Sequence, residues 1–164
     1  VTNDLPKRTE LLNALNQAGR ELSTHTVMFH SAIAEQIGLS ATDHKALDIL
    51  MKTGPITAGE LAELTGLTTG AITGVIDRLE KTGFVRRERV PSDRRRVIIQ
   101  LLQDRAEREI APLFDSLSRA MTELYSRYSD KELAVILDCM TRSSMALQQE
   151  TAKLRLKTAA RDNP

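Results

Sequence analysis

The stretch "RERVPSDRRRVIIQL", residues 87–101, sets three consecutive arginines, Arg94, Arg95 and Arg96, between two runs that read as strands. Before them stand Phe84 and Val85, then Arg86 to Arg89. After them Val97, Ile99 and Leu101 fall on one face under the two-residue period of a strand. Pro91 has no backbone N–H and interrupts the first run, and Pro-Ser-Asp is favourable turn chemistry. The expectation is a β-hairpin with a seven-residue loop, 90–96, whose tip is positively charged. A lone basic turn is ordinarily a solvated loop, so the neighbouring sequence has to decide its role.

The charge of the whole chain says little, with 23 Lys and Arg against 22 Asp and Glu, a net +1. Its distribution says more. From Phe84 to Arg96 there are six arginines (86, 87, 89, 94, 95 and 96) against Glu88 and Asp93, a net +4, which leaves −3 on the remainder. Positive charge gathered in one hairpin attracts a polyanion locally without making the whole surface adhesive. At 164 residues, one domain over 1–164 is expected, long enough to bury a proper core. The single cysteine, Cys139, excludes an intrachain disulfide framework and suits a reducing compartment. No N-terminal apolar run resembles a signal peptide and no apolar stretch approaches a membrane span, so a cytoplasmic location without a membrane partner is expected.

Outward from the hairpin, helical periodicity dominates. Leu12, Leu15, Gly19, Leu22, Thr26, Phe29 and Ile33 recur at steps of three and four, which predicts one long helix over 7–37 with a seam for another helix. Gly38 ends it. In "LSATDHKALDIL", Ser40 and Asp43 form a capping pair ahead of a helix that buries Leu47 and Leu50 and stops before Gly54-Pro55. Thr57 and Glu60 repeat the capping box ahead of a short helix from Ala58 to about Leu64. Thr65-Gly66-Leu67 is then a three-residue turn, and Thr68 caps a helix whose apolar stripe is Ile72, Val75, Ile76 and Leu79, closed by Gly83. Two helices on a short glycine-containing turn match helix-turn-helix spacing, which alone is weak evidence. The strand–loop–strand directly after them makes the combination a winged helix.

A further helix is expected over 103–128, kinked or started late by Pro112, with Ile110, Leu113, Leu117, Met121, Leu124 and Tyr128 as its stripe. Ser129 with Glu132 caps a last helix that carries Leu133, Ile136, Leu137, Met140 and Leu147 and extends past Glu150. The fold class is therefore mainly α with a small β-hairpin wing: a winged helix-turn-helix lobe over 40–102, flanked by long terminal helical regions over 7–37 and 103–157. These helices carry more apolar stripe than the middle can cover, and pairing with a second copy in a symmetric dimer would bury the surplus.

This order, with "GELAELTGLTTGAITGVIDRLEKTGFVRRERVPSDRRRVIIQL", resembles the MarR family of bacterial transcription regulators. The matching pieces are the "DRLEKTGFV.R" junction, the "D.R..V...L" pattern at Asp93, Arg95, Val97 and Leu101, and the "YSDKEL" start of the last helix. The resemblance implies a homodimer held by its terminal helices, with two winged lobes on a pseudo-palindromic double-stranded DNA operator. It also implies, in the usual case, a repressor relieved by a small-molecule effector.

With its stripe turned inward, the helix after the turn presents Thr69, Gly70, Thr73, Gly74 and Asp77 outward, and helix N-terminal residues reach base edges in a major groove. Thr68 caps it. The threonines can bond phosphates or bases, while Gly70 and Gly74 permit close backbone approach. Many family members carry a basic residue where Gly74 stands, so modest direct readout is expected from this helix. The plainer reading of the two glycines is tolerated surface positions, each costing up to about 1 kcal/mol against alanine. Wing-tip arginines suit a narrow A·T-rich minor groove. By resemblance Arg95 is the inserting residue, with Arg94 and Arg96 on phosphate and Asp93 orienting an arginine. Arg78 is a candidate structural partner for Asp93. Arg86 and Arg87 lie in the strand and need not both face DNA.

In the family, effectors sit where the first, second and fifth helices meet the DNA-binding lobe. Phe29, His30, Ile33, His44, Leu47, Met51, Leu117 and Met121 are the residues placed near such a pocket, although each taken singly reads more readily as ordinary core. His25, His30 and His44 invite a metal-sensing reading, but His25 and His30 are five apart, which is not a paired-ligand spacing. Cys139, beside Met140, reads as a small buried hydrophobe before it reads as a redox switch. No metal and no cofactor is expected. An enzyme is disfavoured by the lack of a Gly-rich phosphate loop, a nucleophile elbow or histidines at zinc spacing. A winged helix used for protein contact is the remaining alternative, and it would not need Arg94 to Arg96.

Overall fold

The computed structural model describes residues 7–90 and 93–162, the side chains of Arg94, Arg95 and residues 159–162 excepted. The elements run α1 (Arg8–Gln36), α2 (Ala41–Thr53), β1 (Ile56–Thr57), α3 (Ala58–Thr65), α4 (Thr69–Lys81), β2 (Val85–Val90), β3 (Asp93–Leu101), α5 (Gln103–Glu109), α6 (Ala111–Tyr125) and α7 (Asp130–Asp162). Two compact units divide within α6, one up to Phe114 and one from Asp115.

Local chemistry starts and stops the helices of the first unit. Ser40 Oγ accepts from the Asp43 N–H at 3.1 Å while Asp43 Oδ2 accepts from the Ser40 N–H at 3.2 Å, a reciprocal cap for α2. Thr57 and Glu60 do the same for α3. Between α3 and α4 the chain turns at Gly66, whose φ of 74° is left-handed and whose N–H bonds Ala62 O at 2.8 Å. Thr68 then accepts from the Ala71 N–H at 3.3 Å and starts α4.

The core lies among α2, α3, α4, the sheet and α5. Leu47 and Leu50 of α2, Leu61 of α3, and Ile72, Val75, Ile76 and Leu79 of α4 are buried with Phe84, Val85, Ile99, Leu101, Ala106 and Ile110. The α4 stripe is the one its periodicity predicts. At Gly83, φ is +75°, a left-handed conformation that other residues adopt only with strain, so this corner into β2 favours glycine.

The sheet differs from the expected hairpin in three respects. It has three antiparallel strands in the order β1-β3-β2, because Ile56 and Thr57 pair with Ile99 and Ile98. Two residues are too few for a periodicity signal. Next, Arg94 to Arg96 belong to β3 rather than to a loop: the register jumps from Arg89↔Val97 to Val90↔Asp93, so these three residues have no counterpart on β2. They form a bulge, which lengthens one strand against the other and bends it. Finally, Ile99 and Leu101 are buried but Val97 is 38% exposed, because it lies beyond the helices that cover the sheet root. Pro91 and Ser92, expected in the turn, lie outside the described residues.

The expected helix over 103–128 is two helices, with α5 ending at Glu109 and α6 starting at Ala111, next to Pro112, which lacks the N–H a continuous helix would use. In the second unit the Ser129–Glu132 box starts α7, with the Ser129 N–H on Glu132 Oε2 at 2.8 Å. Val135, Leu137, Met140, Met145, Leu147, Leu154 and Leu156 of α7 are all exposed, as are Leu11, Leu12, Leu15 and Leu22 of α1. Cys139 is exposed too, not buried as its apolar neighbours suggest, because its side of α7 is left uncovered by the described residues.

Truncation of the α4 stripe is expected to cost heavily. Leu79→Ala should lower unfolding free energy by about 2–5 kcal/mol in urea titrations. A loss below about 1 kcal/mol would mean that α4 is not anchored through this face.

Candidate nucleic-acid interface

Anchoring of α4 through Ile72, Val75, Ile76 and Leu79 leaves Thr69, Gly70, Thr73, Asp77 and Arg78 exposed and Gly74 half-buried. Among the described residues, and leaving aside the backbone of α4 itself, nothing lies within 4 Å of a Cβ built on Gly70. At Gly74 such a Cβ would meet only Arg78 Nη1, at an ordinary 3.5 Å. Neither glycine is required by packing against the described residues. Thr73 Oγ1 donates to Thr69 O at 2.8 Å, so with that bond intact it offers acceptor lone pairs and its methyl to an outside partner.

The arginines divide into two groups. Arg87 is committed to the protein: its guanidinium meets Asp77 at 2.5 Å and also Glu80, and its backbone N–H donates to Glu80 Oε1 at 3.0 Å. This staple ties the root of the wing to the C-terminal half of α4. The bonds from Asp77 and Glu80 also raise the Arg87 pKa, with burial opposing them. Arg86 pairs with Glu88 at 2.5 Å and Arg96 with Glu60 at 3.4 Å, both across exposed surface. Exposed pairs are worth little and exchange readily for another anion. Arg89 is exposed and has no ion pair among the described residues. Expectations for Arg94 and Arg95 concern side chains outside the described residues.

Arg78 departs from expectation. It pairs not with Asp93 but with Asp43 on α2, through Nε at 3.1 Å and Nη2 at 2.7 Å. Burial alone would raise the Asp43 pKa, but the bonds from Arg78 and then from Ser40 outweigh it and hold the carboxyl below its ordinary value. A separation of 35 residues leaves no local signal for this pair, and Asp43 reads in sequence only as a cap.

The expected pocket residues are brought together in part. His30, His44, Phe29 and Phe114 form an aromatic cluster, with His30 and His44 centroids 5.3 Å apart and Phe29 edge-on to Phe114 at 5.6 Å. His44, Leu47 and Met51 line a hollow of about 230 Å³ with Asp48, Ile110 and Phe114. A second hollow of about 280 Å³ is lined on the other side by Thr26, Val27, His30, Ser31, Ala41, His44, Lys45 and Asp48. Ile33 is buried core, and Leu117 and Met121 belong to the second unit. Phe114 and Asp48 are additions to the expected set, and Phe114, at helical spacing from both Ile110 and Leu117, is the one that periodicity could have found. Among the described residues no group of three or more His, Cys, Asp or Glu could hold a metal ion, and no helix is long and apolar enough to cross a membrane.

Burial, then the nearby His30 and Lys45, lower the His44 pKa, and Asp48 opposes them. The unfolded chain therefore binds more protons than the folded one between the depressed folded value and the ordinary 6.5. Stability is full above about pH 6.5 and falls as pH drops through that window. Urea titrations from pH 7.5 to 5 should show this decline, with a flatter profile in His44→Gln. An identical slope in the variant would assign the effect elsewhere.

Comparison with known proteins bears on all of these features. The model of the MarR family matches residues 39–97. The chain is 43% identical over 148 residues to the uncharacterized HTH-type transcriptional regulator YcgE of Bacillus subtilis, covering 90% of this chain and 96% of that protein. It is 33% identical over 100 residues to the HTH-type transcriptional repressor YetL of Bacillus subtilis, 58% of each chain. A solved MarR family protein from Bacillus stearothermophilus shares the fold at a TM-score of 0.68 and 23% identity, over 87% of this chain and 99% of that one. The winged lobe and the relative matched along nearly its whole length carry one conclusion: this chain belongs to the MarR family, whose members are DNA-binding transcriptional regulators rather than enzymes.

Proposed function

We propose that the protein is a homodimeric, sequence-specific regulator that reads a pseudo-palindromic operator with α4 and the wing. One observation carries this reading: the outward face of α4, free of packing within the chain at Gly70, is followed directly by a hairpin of net +4. Thr68, Thr69, Gly70, Thr73 and Gly74 are the major-groove surface, where threonines meet bases or phosphates and Gly70 allows close approach. Arg95 enters the minor groove, Arg94, Arg96 and Arg86 bind phosphate, and Asp93 orients Arg95. The exposed pairs of Arg86 and Arg96 are the kind that a phosphate displaces at little cost.

Homodimerisation is supported by the exposed leucines of α1 and the exposed apolar residues of α7, which a second copy would bury. Repression is the favoured sign of regulation, since the relative YetL is named a repressor. A small-molecule effector is assigned to the hollows on either side of His44, within the unit that also carries the wing. It would act by binding one arrangement of the lobes better than another.

Selection of bound sites from a random duplex pool at fixed salt tests the reading. A two-fold motif with half-sites about one helical turn apart should emerge. Arg95→Ala should weaken binding to the selected site by about 1–3 kcal/mol. A motif with one half-site would contradict the dimer, and unchanged affinity and salt slope would remove Arg95 from the groove.

A further inference from the structure

Asp43 is 2% exposed and Arg78, its partner, is 55% exposed in its side chain, so the pair runs from the core to the surface. The carboxylate takes the guanidinium side-on, through Nε and Nη2. That leaves the end-on fork unused: both N–H groups of Nη1 and the second of Nη2. Side chains on a helix slant towards its N-terminus, so a long residue at 78 lies over the turn at 74. Nη1 indeed stands 3.5 Å from where a Cβ on Gly74 would be. Gly74 has no side chain to offer there, and the free edge of Arg78 occupies that place.

We propose that Asp43 is a positioning residue for DNA recognition, holding Arg78 side-on so that its end-on fork is presented over Gly74 to an acceptor pair on a base edge. This rests on the reading that the outward face of α4 meets DNA. The charge of the pair decides between base and backbone. A guanidinium neutralised by a carboxylate at 2.7 Å attracts a phosphate weakly, but its hydrogen-bond geometry is intact. Guanine O6 and N7 are the neutral acceptor pair that matches such a fork in the major groove. The buried carboxylate also removes the rotamer freedom that a free arginine loses on binding.

The test uses the full chain on its selected duplex, with affinities measured across a salt series for Arg78→Ala, Arg78→Lys, Asp43→Asn and the Asp43→Asn/Arg78→Ala double variant. Arg78→Ala and Asp43→Asn should each weaken specific binding about ten-fold or more. The double variant should bind no worse than Arg78→Ala alone, an outcome that a purely structural role for the α2 cap would not give. Arg78→Ala should relax the preference for guanine at one position per half-site and leave the salt slope unchanged. Arg78→Lys, a surface change that keeps charge without the fork, should lose the same preference. Additive losses, full affinity in Arg78→Lys, or a salt slope reduced by one with the motif intact would each overturn the proposal. Thr73→Ala separates the two levels: if it weakens binding while Arg78→Ala does not, only this inference falls. If neither variant has an effect, the assignment of α4 to the major groove falls with it.

Discussion

Burial of four side chains, Ile72, Val75, Ile76 and Leu79, on one face of a helix of 13 residues is the constraint on which the rest of the structure depends. A helix anchored along one stripe has no freedom of rotation about its axis, so its opposite face is fixed as well. Thr69, Gly70, Thr73 and Gly74 are outward because the stripe is inward. The wing inherits its position from the same packing, since Phe84 and Val85 join that core and Arg87 is held by Asp77 and Glu80 of α4. A loss of core packing would therefore misplace both parts of the interface together.

Charge is arranged in keeping with that geometry. Arg87, which ties the wing to α4, is satisfied by carboxylates of that helix. Other wing arginines are held by exposed pairs, as Arg86 and Arg96 are, or stand without an ion pair among the described residues, as Arg89 does. Such groups keep their hydration and bind an anion at small cost. Arg78 lies between these classes, its charge balanced by Asp43 and one edge still open.

Much of this was legible in the sequence where the cause is local. Capping boxes at Ser40, Thr57 and Ser129, the glycine corners and the α4 stripe all depend on residues within one or two turns, and each is found as read. What escaped depends on distance or on register. Strand β1 exists only because β3 pairs with it. The strand position of Arg94 to Arg96 follows from a bulge that composition does not mark. Asp43 reads as a cap and is one, but its bond to Arg78 crosses 35 residues. In the candidate pocket, His44, Leu47 and Met51, expected there by resemblance, line one hollow together, and Phe114 joins them from a position at helical spacing with Ile110 and Leu117.

The central claim is that the wing lies in a minor groove while α4 lies in the adjoining major groove. Cutting of the selected duplex by hydroxyl radicals from an iron chelate tethered at Val90→Cys, in a Cys139→Ser background, tests it most directly. The account predicts cleavage on both strands centred on the minor groove flanking each half-site. Cleavage no stronger than from free chelate, or centred on the major groove of the half-site, would contradict it.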